Sequence, residues 1–358
     1  MRPGLRSDLQ LDGFRRGGQV CGEIEFDRLR SVRGAEVRLV EEGKISLDQK
    51  VIKYLPWLPA IYSDITVRQL LTHTSGVRRD LRTGDVDNFS LAEFKRRLAV
   101  APASFKPGER WEYANTGYII LGMLIEAVSG KPYGEFLAQR IFKRLGMNNT
   151  KYNEPSGTIK NRAIGYDWQG NAYQPSPYFA GGYAAGALIS SAADLAKWEQ
   201  ALNNMKLLKR QSFEQIWRPV SLDNGHPLSF EFRGEQSGYG FGWFLTSYKG
   251  HKLYTHGGTL SGFSSVINRF VDDKVTIIVL TNSKAGADKI GYAEVLGRGL
   301  ANLYLSDSSK GRKDEEQIPE LIRKWDDALI RRDADASART SRASSNLCRD
   351  NFKKFAAQ

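Results

Sequence analysis

The sequence predicts an α+β fold. Three observations carry that expectation: helical periodicity fills the middle of the chain, β-rich segments cluster late, and one more helix closes the order. Elements segregated in this way suggest an antiparallel sheet layered with helices rather than a βαβ repeat.

Taken in order, Val37, Leu39 and Val40 end a helix that stops at Gly43, a favourable C-terminal residue. Ser90-Leu91-Ala92-Glu93 reads as a capping box opening a helix through Leu98. Asn115 to Ser129 has helical periodicity and stops at Gly130. Pro132 starts the next helix, which ends near Gly146. Ser191-Ala192-Ala193-Asp194 opens a helix with Leu195, Trp198 and Leu202 on one face. Strands are then expected over Gly240 to Tyr248, Lys252 to His256, Phe263 to Phe270 and Lys274 to Thr281. Asp272-Asp273 joins the last two as a hairpin turn, and a helix from about Ile290 to Leu303 follows.

Three segments differ in character. Residues 1–35 are rich in Gly and Arg without hydrophobic period, and Lys44 is the first lysine although eight arginines precede it. Such a change of composition is expected of a segment translated in a different reading frame. Residues 36–305 are locally consistent with one folded domain. Residues 306–358 begin with a polar linker at Ser306 to Glu316. Ile318, Leu321, Ile322, Trp325 and Leu329 then mark one helical face, and an Ala/Ser/Arg/Asp tail, expected to be disordered, follows.

Composition excludes several classes. A chain of 358 residues can bury a sizeable core. Its net charge of +12 comes from basic residues interleaved with acids, with no long Lys/Arg block, so a solvated basic surface is expected and no nucleic-acid partner. Cys21 and Cys348 are too few for a disulfide framework. His73, His226, His251 and His256 have no metal-ligand spacing, so neither metal nor cofactor is expected. The longest apolar stretch, around Tyr118 to Ile125, is broken by Gly122 and is far shorter than the roughly 20 residues that cross a bilayer. Met1 to Val20 shows no signal-peptide h-region, which leaves the compartment open.

Three patterns offer chemistry. In Tyr113-Ala114-Asn115, residues two apart in an extended segment point the same way, so the phenol and the amide can face one cavity. A phenol accepts a proton only where a neighbouring cation lowers its pKa. The triplet alone is a weak signal, and by default it reads as a packed tyrosine with Asn as helix cap. His256-Gly257-Gly258-Thr259 ends a predicted strand, where an imidazole can orient a substrate oxygen beside glycines that admit another backbone. A tight turn with a surface histidine explains the same residues. In Leu71-Thr72-His73-Thr74-Ser75-Gly76, His73 is expected to hold the loop through hydrogen bonds.

Read in order, these patterns resemble the β-lactamase-related serine hydrolases: class C β-lactamases, D-alanyl-D-alanine peptidases and related esterases. The resemblance runs through Arg38-Leu39-Val40-Glu41-Glu42-Gly43-Lys44, Tyr54-Leu55-Pro56, Leu71-Thr72-His73-Thr74-Ser75-Gly76 and Phe105-Lys106-Pro107-Gly108. It continues through Tyr113-Ala114-Asn115, Leu145-Gly146-Met147, Tyr239-Gly240-Phe241-Gly242-Trp243 and His256-Gly257-Gly258. It implies a β-lactamase/transpeptidase-like fold and acyl transfer on a small ester, peptide or β-lactam. Tyr113 then matches the tyrosine that moves protons, and Asn115 the residue contacting the substrate amide or the lysine. His256 stands where many members carry Lys, and the Thr259 N–H matches half of an oxyanion hole, with Gly257 and Gly258 beside the substrate.

One part of the pattern is missing. The family's Ser-x-x-Lys element should place its serine near Phe26 and its lysine near Leu29, and no Ser-x-x-Lys occurs anywhere before Tyr113. The nearest serine is Ser31, five residues late and without its lysine, and Arg33 does not give up a proton to replace it. The two N-terminal strands that complete the family's sheet are also unrecognisable. Three expectations follow: a family hydrolase silenced by loss of its nucleophile, a non-catalytic relative that binds peptides or cell-wall fragments, or a truncated or frame-shifted product.

Overall fold

From Thr116 to Ile125 no side chain carries a charge, and this run becomes the central helix of the protein. The computed structural model describes residues 22–24, 30–82, 90–153, 159, 162–170, 172–177, 182–284 and 291–305. Its first elements are strand β1 (Gly22–Ile24) and helices α1 (Arg30–Glu41), α2 (Val67–Leu71), α3 (Leu91–Val100) and α4 (Asn115–Ser129). Helices α5 (Tyr133–Leu137) and α6 (Lys143–Leu145) follow, with a π-helical turn at Ala138–Phe142 between them. Strands β2 (Lys151–Tyr152), β3 (Tyr166–Trp168), β4 (Tyr173–Pro175) and β5 (Leu188–Ser190) lead to helices α7 (Ala192–Asn203) and α8 (Arg210–Ile216). The chain continues through β6 (Phe230–Phe232), β7 (Glu235–Tyr239), β8 (Phe244–Tyr248) and β9 (His251–Leu260). It closes with β10 (Phe263–Phe270), β11 (Val275–Thr281) and helix α9 (Tyr292–Leu305).

Every residue of α4 from Asn115 to Ile125 is buried, as a helix apolar on all sides requires. It packs against α1, α2, α5 and the 3₁₀ turn Tyr183–Ala185. That turn approaches so closely that a Cβ at Gly122 would lie 2.3 Å from the Ala184 Cβ, so the position admits only glycine without rearrangement.

The main sheet has six strands in the order β11-β10-β9-β8-β7-β6, each pair antiparallel. Alternation divides β10 between two cores. Val266 and Phe270 pack with Ile277, Val279 and α9, whereas Ile267 joins Tyr254 in the helical core. Arg269, on the Ile267 side, donates to Glu199 on α7 at 2.7 Å and lies over the Trp217 ring at 4.6 Å. This buried ion pair ties the sheet to the helices.

The expected fold class is observed, with elements differing in detail. Asn115–Ser129 and Phe263–Phe270 have the predicted bounds. The strand expected over Gly240 to Tyr248 is instead the end of one hairpin: β7 stops at Tyr239, the chain turns through Gly240 to Trp243, and β8 starts at Phe244. The Gly240 N–H donates to the Trp243 carbonyl at 2.9 Å, and Gly242 takes φ +65°, which closes the turn. Strand β9 outruns its predicted end at His256 because its pairing with β10 continues to Leu260. Pro132 precedes the first helical residue as N-cap, and Gly146 ends the run in the left-handed conformation. Helix α1 crosses residue 35, the boundary expected from composition.

Strand β1 pairs with β5, outside the six-stranded sheet. The helical face expected over Ile318 to Leu329 lies outside the described residues, as do Cys21 and Cys348. Among the described residues no helix is long and apolar enough to cross a membrane.

Candidate active site

The site is assembled on the loop after α2. Helix α2 begins with a reciprocal capping box in which the Thr66 hydroxyl accepts from Gln69 N–H and the Gln69 side chain accepts from Thr66 N–H. It ends in Thr72-His73-Thr74-Ser75, four polar residues that are all buried. Their hydrogen bonds explain why burial is tolerated. The Thr72 and Thr74 hydroxyls meet at 2.9 Å, and the Thr74 carbonyl accepts from Gly108 N–H at 2.8 Å. Gly76 then turns the chain at φ +73°, where a Cβ would lie 2.0 Å from the Phe105 carbonyl oxygen.

His73 takes φ +59°, an uncommon conformation for a side chain of this size. Its carbonyl accepts from Glu112 N–H at 3.0 Å, and its Nδ1 accepts from Ala114 N–H at 3.1 Å. The residues on both sides of Tyr113 are therefore bonded to one histidine. Its imidazole packs among Tyr113, Tyr118 and Tyr239, with centroids 4.3, 5.0 and 5.2 Å away. The loop-holding role expected for His73 is what these bonds describe.

Tyr113 has a second imidazole as a ring neighbour. His256, 3% exposed on β9, has its ring 6.2 Å from that of Tyr113 and 5.7 Å from that of Phe244. Strand β8 pairs with β9 only as far as Thr255, whereas β10 pairs with it through Leu260. His256, Gly257, Gly258 and Thr259 thus run past the end of β8, opposite Ile267, Val266, Ser265 and Ser264 of β10.

Asn115 is the first residue of α4, and Ala114 is the cap, so the reading of Asn115 as a helix cap does not hold. Its Nδ2 instead donates to Asp80 Oδ2 at 2.7 Å. Arg82 grips the same carboxylate, Nε to Oδ1 at 3.0 Å and Nη2 to Oδ2 at 2.6 Å. Burial alone would raise the Asp80 pKa. The Arg82 and Asn115 donors outweigh it and hold the group at about 2.

An aromatic cluster adjoins these groups. Trp111 stacks on Phe230 at 4.9 Å, Phe232 on Phe244 at 4.1 Å, and Tyr239 meets Phe244 edge-on at 5.1 Å. Sequence reasoning passed over Asp80, which stands in the charged run Arg78-Arg79-Asp80-Leu81-Arg82 with nothing to distinguish it from a surface ion pair. It passed over Trp111 and Phe230 as well, because only folding brings β6 beside the segment before Tyr113.

The structure thus brings the Tyr113 and His256 rings to 6.2 Å, points the Asn115 amide at Asp80, and extends β9 through Gly257, Gly258 and Thr259. Ser31 falls in the first turn of α1, its side chain outside the described residues, together with Phe26 and Leu29. The other histidines are elsewhere: His226 is exposed just after a turn, and His251 meets Asp273 at 2.9 Å at the far end of β9. Among the described residues no group of three or more His, Cys, Asp or Glu side chains could hold a metal ion.

Known proteins share this architecture. The beta-lactamase family model matches residues 34–298. Penicillin-binding protein 4* of Bacillus subtilis (strain 168) is 31% identical over 276 residues, which are 69% of this chain and 57% of that protein. The octameric penicillin-binding protein homologue from Pyrococcus abyssi has 28% identity and a TM-score of 0.66, covering 82% of this chain and 68% of that one. The D-stereospecific amidohydrolase from Streptomyces sp. has 26% identity and a TM-score of 0.62, covering 75% and 84%. The chain spans between 50% and 60% of the length of the first curated relatives it matches. With its antiparallel sheet, its flanking helices and a family match over most of its length, the chain belongs to the beta-lactamase family of serine hydrolases.

Proposed function

We propose that the site is built for acyl transfer to water on a small ester, amide or peptide, and that this chain is silenced at the nucleophile step. The supporting observation is the 6.2 Å separation of the Tyr113 and His256 rings, with Asn115 two residues from Tyr113 at the start of a buried helix. In this reading Tyr113 carries protons between a serine hydroxyl and the leaving group. The Asn115 amide holds the substrate's amide or carbonyl, and His256 orients a substrate oxygen. The Thr259 N–H stabilises the charge that develops on the carbonyl oxygen. Histidine at 256 lacks the permanent charge of the lysine found in many relatives, which tilts preference away from carboxylated β-lactams.

The sequence lacks Ser-x-x-Lys, and loss of such a nucleophile typically removes about a million-fold in turnover. Intact-mass measurement after exposure to a fluorophosphonate tests this: the chain as written is expected to stay unlabelled, and stoichiometric labelling overturns the silencing. With the serine and lysine restored, p-nitrophenyl butyrate is expected to turn over faster than nitrocefin. The reverse order counts against the substrate class.

The missing Ser-x-x-Lys also favours a second reading, a relative that binds peptides or cell-wall fragments without cleaving them. Calorimetry with a D-alanyl-D-alanine peptide separates the two. Saturable binding that Tyr113→Phe leaves unchanged supports the binding role.

A further inference from the structure

We propose that His73 is the positioning residue of the site, acting as a neutral imidazole whose Nδ1 replaces a backbone carbonyl in a short hydrogen-bonded ladder. The loop 73–76 runs beside 104–114 and accepts from it repeatedly. Gly76 O takes Ser104 N–H, Thr74 O takes Gly108 N–H, and His73 O takes Glu112 N–H. The next donor along is Ala114 N–H, and here a side chain accepts: His73 Nδ1, at 3.1 Å.

Chemistry sets the tautomer. A backbone N–H can only donate, so Nδ1 must be unprotonated and the ring proton must sit on Nε2. The left-handed φ of +59° lets one residue present both its carbonyl and its ring to the same segment. Strain of this kind persists only where the surroundings over-determine it. Here Tyr113, Tyr118, Tyr239 and Trp111 surround the ring. With Glu112 and Ala114 both bonded to His73, Tyr113 has little freedom to pivot, and the first turn of α4 carrying Asn115 is fixed by the same bonds.

The significance of this clamp for catalysis rests on the reading of Tyr113 and Asn115 as working groups. Its existence does not, and the test avoids turnover. In the full chain, amide exchange at Ala114 is followed by NMR, and uniform 3-fluorotyrosine labelling reports Tyr113, its line identified by loss in Tyr113→Phe. Three variants separate acceptor from backbone and bulk. His73→Asn tolerates the left-handed conformation and keeps an acceptor at the Nδ1 place. His73→Gly tolerates the conformation without any acceptor. His73→Gln keeps bulk, but its amide reaches beyond that place.

Ala114 is expected to exchange about tenfold faster in the Gly and Gln variants, with a displaced Tyr113 line, and within about threefold of wild type in the Asn variant. Unchanged exchange in Gly and Gln, or equal acceleration in all three, overturns the proposal. Should Gly and Gln fail to fold, the Asn variant decides alone: wild-type exchange supports the clamp and tenfold acceleration overturns it. Long-range ¹⁵N correlation of the imidazole is an independent check, and a proton on Nδ1 at neutral pH overturns it too. Failure of the hydrolase reading leaves every one of these measurements unaffected.

Discussion

Tyr113 and His256 come from opposite parts of the chain, yet their rings lie with centroids 6.2 Å apart. Each is tied to a different scaffold. Tyr113 is held by the loop after α2, through the bonds of its neighbours to His73, and His256 by its β10 partner Ile267. The pair therefore records how the helical half and the sheet are docked.

If this pair serves proton transfer, removing the phenol should be costly once a nucleophile is present. In a version carrying Phe26→Ser and Leu29→Lys, adding Tyr113→Phe should lower kcat by about a hundred-fold or more, with KM little changed. Steady-state kinetics on p-nitrophenyl butyrate measures this, and an equal loss confined to KM would assign Tyr113 to binding instead.

Asp80 makes stability depend on acid. Its pKa is lowered from 3.8 to about 2 in the folded protein, so the carboxylate stabilises the fold above its unfolded pKa. That contribution disappears as pH falls through the folded value, between about pH 4 and pH 2, and amounts to about 2 kcal/mol. Asp80→Asn should flatten urea-unfolding stability over that window and lower it at pH 7. An unaltered pH profile would mean that Asp80 is not the group responsible.

Arg269 and Glu199 form the ion pair between β10 and α7, with side chains only 8% and 5% exposed. Arg269→Ala should destabilise by roughly 3–5 kcal/mol, because it strands a buried carboxylate. Arg269→Met with Glu199→Gln should recover part of that loss. A double-mutant cycle read by urea unfolding checks the coupling, and additive losses would show that the two charges do not interact.

Gly122 is where α4 meets the 3₁₀ turn Tyr183–Ala185. A methyl there would lie 2.3 Å from Ala184 and 2.7 Å from Tyr183, so Gly122→Ala should cost about 1–3 kcal/mol despite its better helix propensity. A calorimetric melt that rises instead would show that the turn moves freely away.

Local signals were legible wherever a residue's own chemistry decides its backbone. Gly130 and Gly146 end helices in the left-handed conformation, and Ser90 and Ser191 cap their helices, although the Glu93 carboxylate expected to complete a box at Ser90 pairs with Arg97 instead. The Gly240–Trp243 turn escaped because Tyr239, Phe241 and Trp243 alternate like a strand, although Gly242 in fact adopts positive φ. The candidate site was legible only in part. Tyr113, Asn115 and His256 stand in patterns that can be read along the chain, whereas Asp80, Trp111 and Phe230 acquire meaning from neighbours far away in sequence.

By itself the sequence determined the α+β class, the family resemblance, most helix ends and the absence of Ser-x-x-Lys from these residues, because each of these is written in residue type and spacing. Tertiary structure alone decided that His73 accepts from Ala114, that Asp80 rather than a helix end engages Asn115, and that β9 runs on past β8 at His256. Those outcomes depend on which buried donor meets which acceptor once helices and sheet have docked, and no local propensity encodes that.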